Sequence, residues 1–370
     1  MIILYGIILV QIYKKALTSN FKTMKSKINL LLIAGISLMV YLSSCSTNML
    51  TMSVKEPALV DIPNDVKKVG IINRSLPGEK TEKLDDADKI LSLEGKDFDK
   101  NGAERMINGC FNELIAMEVY DEIKIIEDST LRSPGLGVYP ASLTWEEVER
   151  LCNDNGVDII YVLSFYDTDT KAEYHSSKEG SVGIGDLAVP VIKHHATVYT
   201  NIKSGWRIYD PVNKLILDEF ISHQSVVSKG SGINPLKAVE AIKGRTEAVM
   251  EASSYLGIAY AQRILPYYIR VRRDYYVKGS NNFKIGKRRA QTGDWDGAAE
   301  MWEKELDSPK RKVAGRACYN MAIINEINGD LDAALEWASK SYTDYRIKKA
   351  LDYVNILKYR INQRAVLEQQ

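Results

Sequence analysis

Cysteine and histidine are both scarce here, with four of each in 370 residues. No two cysteines stand as C-x-x-C, which removes zinc-ribbon and thioredoxin-type sites. The histidines, His175, His194, His195 and His223, form no H-E-x-x-H. His194 and His195 are neighbours in an expected strand, so their side chains leave opposite faces and do not share a metal. A ligand set of His175, one of that pair, His223 and a carboxylate stays open as an alternative to surface histidine. Nucleophile elbows of the form G-x-S-x-G are missing too. The run Gly180-Ser181-Val182-Gly183-Ile184-Gly185 lacks the Lys-Ser/Thr of a phosphate-binding loop and reads as a mobile loop. No catalytic, cofactor-binding or metal-ligating residue is therefore assigned. Net charge is nearly absent, +1 over the whole chain, so there is no general attraction to nucleic acid. Beyond residue 41 no apolar run approaches the roughly 18–20 residues of a membrane helix.

What the chain does have begins at Met24. Lys25 and Lys27 precede an apolar run from Ile28 to Tyr41, and Leu42-Ser43-Ser44-Cys45 follows. Positive charge, short greasy core and small residues are the layout of a secretory signal. The ending resembles the lipobox of bacterial lipoproteins, and that resemblance implies cleavage before Cys45 and a diacylglycerol on its sulfur. The alternative is an uncleaved anchor. Met24 is the expected start, with residues 1–23 untranslated. Segment 1–44 carries five lysines and no acid, so the remainder is mildly acidic. A membrane partner through Cys45 is expected. By the same resemblance to bacterial lipoproteins, Ser46 and the acid-free residues 47–54 imply the outer membrane, facing the periplasm. The other three cysteines fall on apolar faces of expected helices as buried free thiols. A Cys110–Cys152 disulfide is the alternative in an oxidising compartment.

Residues 45–65 read as a tether, rich in Ser, Thr, Asn and Pro. An α/β domain spans 66–265. Val66–Asn73 and Ile123–Glu127 are expected strands, and 85–93 a short helix. Asn101–Met117 has an apolar stripe, and Thr144 with Glu147 forms a capping box for a helix that Gly156 ends. Val157–Phe165 is nearly continuous in apolar residues and reads as a central strand covered on both faces. Residues 167–195 read as a long excursion. Thr197–Tyr209 and Lys214–His223 form a hairpin around Asp210-Pro211-Val212-Asn213, and Pro235–Ile264 reads as one long helix. The unit Gly156–Phe165 and the hairpin Trp206–Phe220 resemble the α/β domain of TolB N-termini and curli-secretion-type lipoproteins. Asn213-Lys214 stands where those families favour glycine.

After a linker at 266–280, two phrases repeat 36 residues apart, Gly293-Asp294-Trp295-Asp296-Gly297-Ala298-Ala299 and Gly329-Asp330-Leu331-Asp332-Ala333-Ala334-Leu335. They resemble the turn and second helix of tetratricopeptide repeats, whose period is about 34. Glycine closes one helix and Asp caps the next. Gly286 and Ala322 are the small residues of the first helices; Trp302 and Ala338 take the packing position of the second. A capping helix carries Ile347, Leu351, Val354, Leu357 and Ile361 on one side, so 281–370 holds two repeats and a cap. The expected fold is thus a mixed α/β sheet with flanking helices, followed by an all-α repeat region. That combination resembles a family of Bacteroidetes lipoproteins, which implies an address and an architecture but no reaction.

Three functions follow as expectations. The first is a lipid-anchored, non-enzymatic interaction or scaffolding module that meets a protein partner through 281–363, with no nucleic acid and no cofactor. The second is a structural subunit of an envelope secretion or pore assembly. The third is an envelope-polymer hydrolase using Asp167 and Asp169, which follow the central strand where open α/β sheets bind ligands. The stretch Tyr267–Arg289 interleaves eight basic residues with four tyrosines. It reads as a strand and repeat helix with solvated arginines, or as a patch for anionic envelope material.

Overall fold

The computed structural model describes residues 46–76, 97–128, 130–133, 139–184, 187–242 and 244–370. Cys45, the signal segment and the helix expected at 85–93 lie outside the described residues. The chain divides into two units, one from Lys55 to Tyr267 with Ala365–Gln370, the other holding the residues before it and Tyr268–Arg364.

The first element corrects an expectation. Thr47–Glu56 is strand β1, within the stretch read as a tether. Leu50 and Met52 join a hydrophobic core, and Val54 is buried. That period-two alternation is what makes a strand of a segment whose Ser and Thr suggest a linker.

The α/β unit follows as β2 (Lys68–Asn73), helix α1 (Phe98–Met117), β3 (Glu122–Ile126), α2 (Trp145–Asn155), β4 (Ile159–Ile184), β5 (Leu187–Asp210), β6 (Leu215–Gly232), α3 (Pro235–Glu240) and α4 (Arg245–Ala261). Its five-stranded sheet has the order β3-β2-β4-β5-β6. The β2 pairings are parallel and the β4-β5-β6 pairings antiparallel. β4 is central, as its apolarity requires. Ile159, Tyr161 and Leu163 face one core with Met106 and Cys110 of α1 and Tyr260 of α4. Ile160 and Val162 face the other core, with Val148 and Leu151 of α2. Thr144 and Glu147 form the capping box, and Gly156 ends α2 in the left-handed region.

Two expectations fail here. Residues 167–195 are no excursion, because β4 and β5 continue through them as one long hairpin. Ala196, Val198, Thr200 and Ile202 are all buried, an alternation that holds one face of the hairpin to the protein. The long helix at 235–264 is two helices, with Gly244 at φ 71° in the break between them.

The second unit resumes with β7 (Tyr267–Tyr276), hydrogen-bonded to β1. The α/β unit is therefore spelled between two paired strands. Its entry and exit are adjacent, since the N–H groups of Leu59 and Val60 both donate to the Arg263 carbonyl at 2.8 and 3.0 Å. Close ends let one unit be inserted in another without disturbing the host. Five helices complete the chain: α5 (Asn281–Gln291), α6 (Trp295–Glu303), α7 (Arg311–Ile327), α8 (Leu331–Thr343) and α9 (Lys348–Leu367).

Candidate interaction surface

The repeated phrases build the same object twice. Gly293 and Gly329 both stand at φ 84°, a conformation that favours glycine. Asp294 then accepts from the Gly297 N–H and Asp330 from the Ala333 N–H, capping α6 and α8. Ala298 and Ala334 are fully buried, as are Trp302 and Ala338 four residues on. Gly286 lies against the Trp302 indole, where an added Cβ would approach Nε1 to 2.6 Å. The result is a pair of tetratricopeptide-like hairpins, α5–α6 and α7–α8, closed by α9.

Strand β7 packs against α7. The Asn320 amide, fully buried, accepts from the Tyr276 N–H at 2.7 Å and donates to its carbonyl at 2.8 Å, as a neighbouring strand would. Arg316 lies over the Tyr276 ring, and Tyr275 packs edge-on to Trp295. Beside them the Glu326 carboxylate, wholly buried, receives two bonds from Arg273 of β7, both 2.9 Å. Arg360 and Tyr353 of α9 each add one at 2.6 Å. Burial pushes the Glu326 carboxyl up, but the hydrogen bonds and charge of Arg273, with Tyr353 and Arg360, outweigh it and hold it below the usual range. Sequence reasoning missed this network. Its signals were Asn320 and Glu326 within the largely apolar run 317–327 of α7.

Within 281–363, where a partner surface is expected, some large apolar side chains reach solvent. Large apolar side chains stand exposed at Tyr342 on α8 and at Leu351, Ile356 and Tyr359 on α9. Leu351 was expected on the packed side of the capping helix. The other expected residues do pack: Ile347, Val354 and Leu357 are buried and Ile361 lies against the same core, joined by Ala350 and Tyr353. The basic tyrosine-rich stretch divides in two. Along β7, Arg270 and Arg272 face outward while Tyr275 and Tyr276 are buried. Along α5, Arg289 pairs with Glu300 at 2.9 Å, and Lys284, Lys287 and Arg288 line a cleft.

The remaining candidates do not converge. His175 and His195 are cross-strand partners with rings stacked at 4.8 Å, and Ser177 lies 2.9 Å from the His195 Nε2. His194 is paired with Ser176 in the next register position, and His223 stands opposite Lys203, eight residues along β5 from His195. Among the described residues no group of three or more His, Cys, Asp or Glu is placed to hold a metal. Asp167 and Asp169 do not end the central strand, because β4 runs on to Ile184. They lie mid-hairpin opposite Lys203 and Asn201. The glycine run expected as a loop falls largely within β4. Cys110, Cys152 and Cys318 are free and buried, with no Cys110–Cys152 bridge. Burial raises the thiol pKa to about 12 at Cys152 and about 11 at Cys318, and pushes Cys110 up further. No helix among the described residues is long and apolar enough to cross a membrane.

Two family models match the chain, both described as domains of unknown function: DUF8603 over residues 66–276 and DUF6340 over residues 284–360. No curated protein matches it. Among solved structures it is similar to the PelC dodecamer from Paraburkholderia phytofirmans, with 10% identity, 59% of this chain and 96% of that one covered, and a TM-score of 0.23. It is also similar to a protein from Helicobacter pylori described as a neuraminyllactose-binding hemagglutinin homologue. There the identity is 7%, the coverage 63% of this chain and 94% of that one, and the TM-score 0.22.

Proposed function

Since the chain belongs to the DUF8603 family, whose description assigns no reaction, we propose from its own residues that it is a lipid-anchored cell-envelope protein. It acts as a protein-binding or scaffolding module without catalysis. One observation carries this reading: the lipobox-like Leu42-Ser43-Ser44-Cys45 stands directly before the fold. Ser46 already accepts a hydrogen bond from the Val277 N–H, and β1 begins at Thr47. A signal-like segment followed within two residues by strand β1 suits a cleaved leader and an anchored body. Two acyl signals give firm attachment, at about 0.8 kcal/mol per buried methylene. Outer-membrane attachment facing the periplasm is part of the proposal. The partner site is the α8–α9 side, where Leu351, Ile356 and Tyr359 are exposed.

Cell fractionation tests the anchor. Wild-type protein should partition with membranes and the Cys45→Ala variant should not; equal partitioning removes the reading. Cross-linking in intact cells tests the partner. One discrete adduct that Leu351→Arg with Ile356→Arg abolishes is expected, and an adduct unaffected by both changes would refute that surface.

A second reading, a subunit of an envelope assembly, draws on β6. It is 18 residues long and lies at the sheet edge, with one row of backbone groups available to another strand. A monomeric mass in mild detergent would remove it.

A further inference from the structure

Within the repeat unit a cleft of about 640 Å³ opens beside α5. Its lining carries four cations, Lys278, Lys284, Lys287 and Arg288, and no carboxylate. On α5 the last three stand at i, i+3 and i+4 and so share one face, beside the buried Phe283, Gly286 and Ala290. Their neighbour Arg289 points elsewhere and is neutralised by Glu300 and Asp294. The Glu305 carboxylate is held by the Ser280 hydroxyl at 2.6 Å and the Asn282 amide at 2.8 Å, and stays outside the lining. Lys284, Lys287 and Arg288 make no ion pair among the described residues, so three of the four lining cations carry charge that no carboxylate of the lining offsets.

A second observation says what that charge faces. Val277 is part of the lining, and its N–H donates to the Ser46 carbonyl at 3.0 Å. Ser46 is the residue after Cys45, and consecutive Cα atoms are about 3.8 Å apart. Ser46, one residue after the expected attachment point in sequence, is thus held at the rim of the cleft.

We propose that this cleft binds the phosphate of an anionic phospholipid headgroup in the leaflet that carries the Cys45 anchor. The inference rests on the anchor reading for its geometry, and on the cleft's own residues for its chemistry. Guanidinium and ammonium groups satisfy phosphate oxygens by charge-assisted hydrogen bonds. A basic cluster beside a lipid chain is a second membrane signal, each cation near an anionic surface strengthening binding by about five-fold. Bound in this way, the headgroup fixes the orientation of the repeat unit on the membrane.

The test uses the chain from Ser46 onward, which keeps every described residue and needs no lipid on Cys45. It is sedimented with phosphatidylcholine vesicles with and without phosphatidylglycerol. Binding only to the phosphatidylglycerol vesicles is expected. It should weaken on the order of 100-fold in the triple variant Lys284→Gln, Lys287→Gln, Arg288→Gln. A charge-matched control, Lys312→Gln, Lys348→Gln, Lys358→Gln, removes three exposed cations elsewhere on the unit and should weaken binding far less. Equal loss in both triples means diffuse attraction and overturns the site. So does no binding by the wild type, or full displacement by soluble glycerol phosphate, which would make it a free-phosphate site. Because Cys45 is absent, failure here leaves the anchor reading untouched, and failure of the anchor leaves this binding measurable.

Discussion

Glu326 concentrates the repeat unit's electrostatics in one residue. Its carboxylate binds Arg273 and Arg360 out of contact with solvent, so losing it leaves two largely buried guanidiniums without a counter-charge. Glu326→Ala should cost about 3–5 kcal/mol, read as a shift in the denaturation midpoint of the repeat unit. The same group sets a pH dependence. Its folded pKa lies below the ordinary 4.5, so its stabilisation is complete above about pH 4.5 and is lost as pH falls through the lower folded value. Thermal melts between pH 7 and 3 should show this acid loss reduced in Glu326→Gln. Lys214 makes a contrary prediction. It holds φ 52° in the hairpin turn, at the place where glycine was expected from resemblance. Lys214→Gly should stabilise by roughly 0.5–1 kcal/mol, the relief of left-handed strain less the added chain entropy. Destabilisation would refute that account. The three buried thiols, held protonated by burial, should react with a thiol reagent only as fast as the protein unfolds.

At the scale of elements, the twin hairpins give the cleanest comparison. Gly293 and Gly329 share φ 84° with no neighbouring atom in the way of a side chain, so strain alone opposes substitution. Gly293→Ala and Gly329→Ala should each cost about 1–2 kcal/mol, and by similar amounts, in urea unfolding. A large disparity would mean that the two turns are not equivalent. These turns were legible in sequence because glycine, Asp cap and small packing residue are local requirements at fixed spacing. The central strand was legible for a similar reason: β4 is apolar on both faces over Ile159–Leu163. The hairpin at 167–195 was not, because polar strands are specified by what covers them. Only Ala196, Val198, Thr200 and Ile202 betrayed a buried side. Strand β1 was missed in the same way, its alternation of Leu50, Met52 and Val54 hidden by Ser and Thr between them. Gly244 was a visible break in a helix pattern and was passed over.

For the whole molecule, the main revision concerns the residues just after Cys45. A tether was expected, holding the α/β domain off the membrane. Instead the residues after Cys45 enter β1 and help build the repeat core, and the α/β unit is inserted between β1 and β7. Long-range pairing of this kind was invisible in sequence, because β1 and β7 lie more than two hundred residues apart. Removing residues 46–56 should therefore lower the melting temperature of the repeat unit, by loss of Leu50 and Val54 burial, about 1.5–3 kcal/mol each. Anchorage at Cys45 remains the central claim, and it has a direct measurement. Mass spectrometry of the N-terminal peptide from membrane-extracted protein should find Cys45 as the first residue, carrying a diacylglycerol on Sγ. A peptide that reads unmodified through Ser44-Cys45-Ser46 would contradict the account.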